Sequence, residues 1–367
     1  MRILQILNHT RRLNGHVHAA LDLACAQTRL GHQVALASGG GDFDAFLAAH
    51  EIETVLVDHG RTPINLLLQM RSLYRFAREW RADVIHAHMV TSAFLAWPVC
   101  KLLRIPLITT VHNEFQKSAI AMGLGTRVIA VSEAVGKSMR KRGISAARLD
   151  VVLNGTIGSA RFEGKDRTPR HLDSPAVIFV GGLHPRKGLP DLIEAFDRVF
   201  KRHANARLYI VGDGPCRETY MAMAKSLPCS SAITFIGPDD NPFPFLLGAD
   251  IFVLPSHADP APLVLSEARE AACAIIATDV DGIPELLGHG KAGILVPAHD
   301  PAELSEAICS LIVDPEKLRS WKERSQVGIE FLRVERVAEQ TLRVYDAALH
   351  QVRGPGYQPL KGGNSYG

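Results

Sequence analysis

The sequence predicts an α/β chain of two domains, each built on a parallel sheet wrapped by helices. Three observations predict it. At 367 residues the chain exceeds a single small core. Short apolar runs of strand length alternate with longer helical patterns, which is the signature of a parallel sheet covered on both faces. The alternation breaks once, at the polar, breaker-rich GSARFEGKDRTPRHLDSP from Gly158 to Pro175, and then starts again. That stretch is the expected linker, between a domain over 1–160 and another over 176–332.

The first series opens with a strand from Arg2 to Leu7. Asn14-Gly15-His16 then leads into a helical pattern from Val17 to Leu30. A strand, a glycine turn and a helix can bring backbone N–H groups to a phosphate. The full GxGxxG fingerprint is absent, so a turn glycine reads equally well. Strands follow at Gln33–Ala37, Glu53–Val57, Asp83–Ile85, Pro106–Thr110 and Arg127–Ala130. Helices fall at Phe43–His50, Ile64–Trp80, Val90–Leu103 and Glu133–Lys141. Ligands of such sheets bind at the carboxyl ends of strands. His86, His112 and Ser132 are each placed directly after a strand, and His112 carries the most weight.

The second series has strands at Ala176–Val180, Arg207–Val211, Ile233–Ile236, Ile251–Leu254 and Ala274–Thr278. Two glycine loops interrupt it, one from Gly181 to Gly188 and one from Gly212 to Pro215. A helix over Pro190–Phe200 follows the first loop, and a helix is expected to begin near Pro262, where proline suits a first turn. Eight helical residues from Asp259 would put Glu267 about 12 Å further along. Further helices are expected over Pro301–Val313, Pro315–Gln326 and Arg333–Leu349, then a disordered tail over 353–367.

Composition narrows the class. Hydrophobic residues make up 47% and charged residues 22%, as in a soluble globular protein. No apolar run reaches ~18 residues, so no membrane-crossing helix is expected. The opening MRILQILNHTRRL has too short an apolar core for a signal peptide, so a cytoplasmic location is expected. The six cysteines are scattered without a CxxC pair and read as small buried hydrophobes. His16-Val17-His18 and His86-Ala87-His88 lack a neighbouring acid or thiol to complete a metal set. Residues 1–160 hold 18 Lys/Arg against 11 Asp/Glu, whereas 161–367 hold 23 against 27. A basic first half, with Lys137, Arg140, Lys141 and Arg142 clustered at a helix end, favours an anionic partner. Cations at a helix C-terminus are also favourable in their own right. No nucleic-acid partner is expected.

Arg186 and Lys187 lie in the loop bounded by Gly182 and Gly188. A diphosphate is met well by a guanidinium fork, an ammonium and approachable backbone N–H groups. Gly212, Asp213 and Gly214 form a second close-approach turn. Asp259 stands before the helix of LPSHADPAPLVLSEAREAA, and Glu267 stands within it among Leu263, Val264, Leu265 and Ala268. A carboxylate among apolar residues needs a partner.

Taken in order, these segments resemble the retaining, nucleotide-sugar-dependent glycosyltransferases of family 4, whose GT-B fold faces two Rossmann-like parallel-sheet domains across a cleft. The residues that carry the resemblance are NGHVHAALDLACAQTRLGHQVALAS, DVIHAH, TTVHNEF, VIAVSEAV, VVLNG, VGGLHPRKGLPDLIEAF, LYIVGDGP, FIG, ADIFVLPS, the carboxylate pair ending in LSEA, and GIPELL with GKAGILVP. They span the chain to about residue 350. The resemblance implies that Arg186 and Lys187 hold the donor diphosphate and that Glu267 bonds the ribose. It puts Asp259 on the donor sugar, with the backbone of Pro262, Leu263 and Val264 beside it. It puts Gly182, Gly212, Asp213, Gly214 and Ile236 around the nucleoside and phosphates, Gly15 near the diphosphate, and His112 beside the reacting sugar. The last helix is expected to return to the first domain.

Three departures stand out. Asp259 replaces the usual Glu, Pro262 a usual Gly, and Asp281-Gly282 a usual Gly-Gly. Asp279-Val280-Asp281 mimics a metal-binding DxD, yet enzymes of this fold hold the diphosphate without a required metal. The implied reaction moves a sugar from a UDP- or GDP-linked donor to an acceptor hydroxyl with retained configuration. The implied acceptor is lipid-linked or anionic, at the inner membrane face, in surface polysaccharide or glycolipid assembly. A phosphorylase or a synthase making a soluble sugar product is the alternative within the class, and a nucleotide-sugar epimerase and a non-catalytic sugar-nucleotide-binding protein are the alternatives outside it.

Overall fold

The computed structural model of the chain describes residues 1–354 apart from Leu13, His59 and Arg61. The chain forms two compact units, Met1–Arg161 together with the chain from Arg333 onward, and Phe162–Leu332. The first begins β1 (Arg2–Ile6), α1 (Gly15–Arg29), β2 (Gln33–Ser38), α2 (Asp44–Ala49), β3 (Glu53–Leu56) and α3 (Pro63–Glu79). It continues β4 (Val84–Ala87), α4 (Val90–Leu103), β5 (Leu107–Val111), β6 (Arg127–Ala130), α5 (Glu133–Lys141) and β7 (Leu149–Val151). The second unit runs β8 (Ala176–Val180), α6 (Leu189–Arg202), β9 (Arg207–Val211), α7 (Arg217–Lys225), β10 (Ile233–Gly237) and α8 (Phe243–Gly248). It ends with β11 (Ile251–Leu254), α9 (Leu263–Glu270), β12 (Ala274–Thr278), α10 (Ile283–Leu286), β13 (Ile294–Val296), α11 (Pro301–Ile312) and α12 (Pro315–Ser325). The final helix, α13 (Val334–Arg353), belongs to the first unit.

The first sheet has the order β3-β2-β1-β4-β5-β6-β7 and the second β10-β9-β8-β11-β12-β13. Every strand pair in both sheets is parallel. In each sheet the order reverses beside the first strand, β1 or β8, which opens a crevice at the strands' carboxyl ends. The central strands are buried on both faces, as in AVIFV of β8. Their helices carry one apolar stripe: Leu189, Leu192, Ile193, Phe196 and Val199 are the buried face of α6. Caps set several helix starts. Ser132 Oγ accepts from the Val135 amide, and Asp300 caps Glu303 at 2.9 Å.

Short elements were not legible. Strands β7 and β13 have three residues each, and α10 has four. Strand β4 ends at Ala87, so His86 lies within it, not after it. The proposed linker is also not free chain. Arg167 pairs with Glu270 at 2.9 Å, and the Arg170 amide donates to Pro244 O, so the stretch after Arg161 packs onto the second unit. The tail expected over 353–367 begins with Arg353, which closes α13, and residues 355–367 lie outside the described ones.

Between α1 and the segment after β7 lies a buried ion pair. Arg161 donates from Nε and Nη2 to the two oxygens of Asp22 at 2.8 and 2.9 Å, and Ser159 Oγ adds a 2.6 Å bond. Both charges are almost fully removed from water, at 6% and 1% side-chain exposure. Arg161→Ala would leave Asp22 charged and buried, and a loss of about 3–5 kcal/mol in urea unfolding is expected. A loss under 1 kcal/mol would contradict the pair's role.

Candidate active site

In the second unit the site is built on the loops that follow β8 and β11. Gly188 is left-handed, with φ +65°, and a Cβ there would stand 1.8 Å from Pro255 O. Only glycine lets these loops touch. The Arg186 carbonyl then accepts the amides of His257 at 2.8 Å and Ala258 at 3.3 Å. This lacing carries Lys187 Nζ to 2.5 Å from Asp259 Oδ2, while Arg186 Nη1 stands 3.9 Å from Oδ1. Arg186 is 44% exposed, but Lys187 and Asp259 are only 12% and 7% exposed. The arrangement is a half-buried ammonium–carboxylate pair with a guanidinium at its rim. Such a rim suits an anion that can share both cations.

Asp259 is held by its own backbone as well. Its amide donates to Asp281 Oδ2 at 2.7 Å, and its carbonyl accepts from Gly282 N at 3.3 Å. Asp281 has φ +46°, a conformation that glycine tolerates best. Burial, then the nearby Asp259 charge, raises the Asp281 carboxyl above its ordinary value. Its orienting role was missing from the sequence reading, because the partners are 22 residues apart.

The helix after Asp259 starts at Leu263, near Pro262 as expected, and does not reach back to Asp259. Pro262 is extended and serves as the N-cap of α9, so the rise from Asp259 to Glu267 is not eight residues of helix. No side chain caps this helix and no acidic residue lies in its first turn, which leaves Leu263 and Val264 at a helix end without a built-in anion. Glu267 is buried at 7% exposure, in keeping with a carboxylate set among apolar neighbours. Behind it, Arg269 donates to the carbonyls of Ser325 and Leu286 at 2.7 and 2.8 Å, and also to Val327 O, which fixes the far end of the helix.

The glycine turns converge on the next loops of the same sheet. Gly212 has φ +140°, and a Cβ there would lie 2.0 Å from Gly181 O. Its amide donates to Gly237 O at 2.7 Å, beside Ile236 on β10. Asp213 accepts the Gly214 amide at 2.8 Å, and Asp213 O accepts the Leu183 amide, also at 2.8 Å, next to Gly182. Gly182, Gly212, Asp213, Gly214 and Ile236 therefore share the carboxyl edge of β8, β9 and β10.

Gly15 and His112 belong to the first unit. Gly15 opens α1 with nothing within 4 Å of a Cβ position. Its neighbour His16 lies 6.2 Å, ring to ring, from His112. His112 follows β5, as expected, and heads a hydrogen-bonded chain absent from the sequence reading. Gln27 Nε2 donates to the Tyr345 hydroxyl, which hydrogen-bonds His86 Nδ1 at 2.6 Å, and His86 Nε2 hydrogen-bonds Thr110 Oγ1 at 2.7 Å. Gln5 Nε2 donates to Gln27 Oε1, so Gln5 Oε1 accepts from His88 Nε2 at 3.1 Å. His88 Nδ1 must then accept from His112 Nε2 at 3.0 Å, which leaves the His112 lone pair on Nδ1. Burial, then neighbouring imidazoles, holds His88 and His112 well below the ordinary histidine value, and His86 at about 3. His16 sits at about 4 for the same reasons. The cluster is neutral at physiological pH.

Two Rossmann-like units, the second carrying this cation–carboxylate loop, define the GT-B class of enzyme. Solved structures agree. HepE of Anabaena, solved with UDP, superposes with a TM-score of 0.79 at 19% identity, over 95% of this chain and 100% of that one. A glycosyltransferase of Rickettsia africae gives 0.79 at 18% identity, over 95% and 98%. The chain matches the description Glycosyltransferase Family 4 over residues 13–156 and Glycosyl transferases group 1 over 161–327. N-acetyl-α-D-glucosaminyl L-malate synthase of Bacillus anthracis is 30% identical over 304 residues, which is 77% of this chain and 79% of that protein. Glycogen synthase of Mycobacterium tuberculosis is 29% identical over 303 residues, 76% and 72% of the two chains. The chain belongs to glycosyltransferase family 4.

Proposed function

We propose that this glycosyltransferase moves a sugar from a nucleoside-diphosphate donor to an acceptor hydroxyl with retained anomeric configuration. The observation that carries the reading is the Lys187–Asp259 contact with Arg186 at its rim. Without donor, Asp259 holds the ammonium in place. With donor, the diphosphate takes up both cations, and Asp259 turns to the sugar. Charge developing on the leaving phosphate is met by groups already oriented. Glu267 holds the ribose, and the amides of Leu263 and Val264 approach the sugar. Pro262 offers no N–H, so one backbone contact is replaced by a shape constraint. Gly182, Gly212, Asp213, Gly214 and Ile236 border the nucleoside, and Gly15 leaves room for the phosphates. His112 Nδ1 accepts a sugar hydroxyl. The chemistry needs no metal. UDP is the favoured nucleotide, since HepE was solved with UDP and UDP-glucose.

The acceptor reading rests on the first unit. On α3, Ile64, Leu67 and Leu68 are exposed at 75%, 67% and 59%, and exposed Arg71, Arg75 and Arg78 follow them. On α4, which packs beside it, Phe94 and Trp97 are also exposed. Apolar and cationic side chains on one surface favour an anionic lipid face and a lipid-linked acceptor in surface glycan assembly. No helix among the described residues is long and apolar enough to cross a membrane. A small soluble anionic acceptor is the second reading, favoured by relatives named for L-malate and D-inositol 3-phosphate.

The test is release of UDP from UDP-sugars with anionic vesicles, lipid-linked oligosaccharide, L-malate or inositol phosphate as acceptor. Sugar isomerisation without any acceptor would identify an epimerase, and absence of turnover with every donor and acceptor would leave only binding. Glu267→Ala is expected to weaken UDP binding about 10–100-fold. Calorimetry with unchanged UDP affinity would remove Glu267 from the donor site.

A further inference from the structure

A second group of side chains converges on the carboxyl edge of the same sheet. Asp191 stands in the first turn of α6, His257 in the loop after β11, and His299 in the loop after β13. His257 Nε2 lies 2.7 Å from Asp191 Oδ2. The rings of His257 and His299 face each other with centroids 3.7 Å apart and an interplanar angle of 34°. One donor atom from each of the three residues lies within 4.8 Å of the other two. The His257–Asp191 hydrogen bond by itself would account for a loop tie. It does not account for His299, an exposed residue with φ +61° that sets its imidazole against another imidazole.

We propose that Asp191, His257 and His299 form a divalent transition-metal site, with zinc the ion that fits it best. A tetrahedral zinc with bonds of about 2.0–2.1 Å needs its donor atoms about 3.3 Å apart. The three donor atoms already lie within 4.8 Å of one another, so little approach is needed. Two imidazoles and one carboxylate select zinc or its neighbours in the transition series over magnesium and calcium, which take mainly oxygen. Three protein ligands and an exposed third residue leave one position open to water or another ligand. The ion acts on the loop and not on the sugar. The His257 amide donates to the Arg186 carbonyl at 2.8 Å, and Asp259, the partner of Lys187, is two residues on. Metal binding therefore fastens the segment 257–259 to the start of α6 and stiffens the cationic loop. A local-motif search misses the site because its three ligands come from three separate segments, one helix start and two loops, each contributing one residue.

The experiment is cobalt(II) titration of the full chain after chelation, read by visible d–d absorption, followed by displacement with zinc. One saturable equivalent is expected, with zinc displacing cobalt. His299→Ala and Asp191→Asn should each remove the band or weaken zinc by at least about tenfold, while His289→Ala, an exposed histidine elsewhere, leaves it intact. Zinc should also raise the melting temperature of the wild type and not of His299→Ala. Acidification should weaken binding, since the imidazoles must be neutral. Absence of a saturable band overturns the site. Equal uptake by wild type and both variants also overturns it, and moves binding to the histidines of the first unit.

Discussion

Lys187→Ala is expected to lower turnover about 10²–10³-fold, the usual effect of removing one preorganised donor to a developing anion. The ammonium is 12% exposed and already fixed at 2.5 Å from Asp259, so it needs no reorganisation when the phosphate charge grows. Arg186, 44% exposed and 3.9 Å from the same carboxylate, stands at the rim and does not take the ammonium's place. The variant also leaves Asp259 buried beside one distant cation, so some stability is lost. Lys187→Ala/Asp259→Asn separates the two effects: it should recover the melting temperature and leave turnover low. Lys187→Arg keeps the charge but not the compact ammonium and should recover turnover only in part. Wild-type turnover in Lys187→Ala would sink the assignment.

Acid is expected to unfold the first unit early. His16, His86, His88 and His112 are held neutral, with folded values of about 4 for His16, about 3 for His86 and well below 6.5 for the other two. In the unfolded chain they titrate near 6.5. Below that pH the unfolded state binds more protons, so stability falls as pH falls, until the folded values are reached. Each imidazole contributes a slope of up to about 1.4 kcal/mol per pH unit. Over pH 6.5 to 5 all four act in the same direction, so stability should fall steeply before carboxylates titrate appreciably. Thermal unfolding should show a steep drop in that window and a shallower one in His88→Gln. A melting temperature that holds constant from pH 7.5 to 5 would show that the cluster does not carry these shifts.

Several site residues could be read in the sequence for a clear reason. Arg186-Lys187-Gly188 works through local geometry, a tight loop before a helix, and needs no distant partner to be noticed. Asp259 and Glu267 stand out because carboxylates rarely sit among Leu263, Val264, Leu265 and Ala268 without a task. His112 was placed by a topological rule, that ligands gather where strands end. His86 followed the same rule and was misplaced by one strand register, because a buried apolar strand tolerates a histidine whose two nitrogens are both satisfied, here by Tyr345 and Thr110. Pro262 was read as helical because proline suits N1, but its ψ of 120° makes it the cap.

By itself the sequence determined the alternation, and hence two parallel sheets, since strand and helix periods are written in neighbouring residues. It also determined which loops carry the cations. Only the tertiary structure decided which partners those residues meet. Asp281 reaches Asp259 from 22 residues away, and Tyr345 reaches His86 from 259 residues away. Asp191, His257 and His299 come from the start of a helix and two separate loops. Such contacts are set by the crossover order of the strands and, in the second unit, by Gly188, which lets the loops after β8 and β11 close on each other. The buried ammonium pair follows from that closure, and the neutral imidazoles of the first unit follow from burial at their own strand ends; neither has a period along the chain.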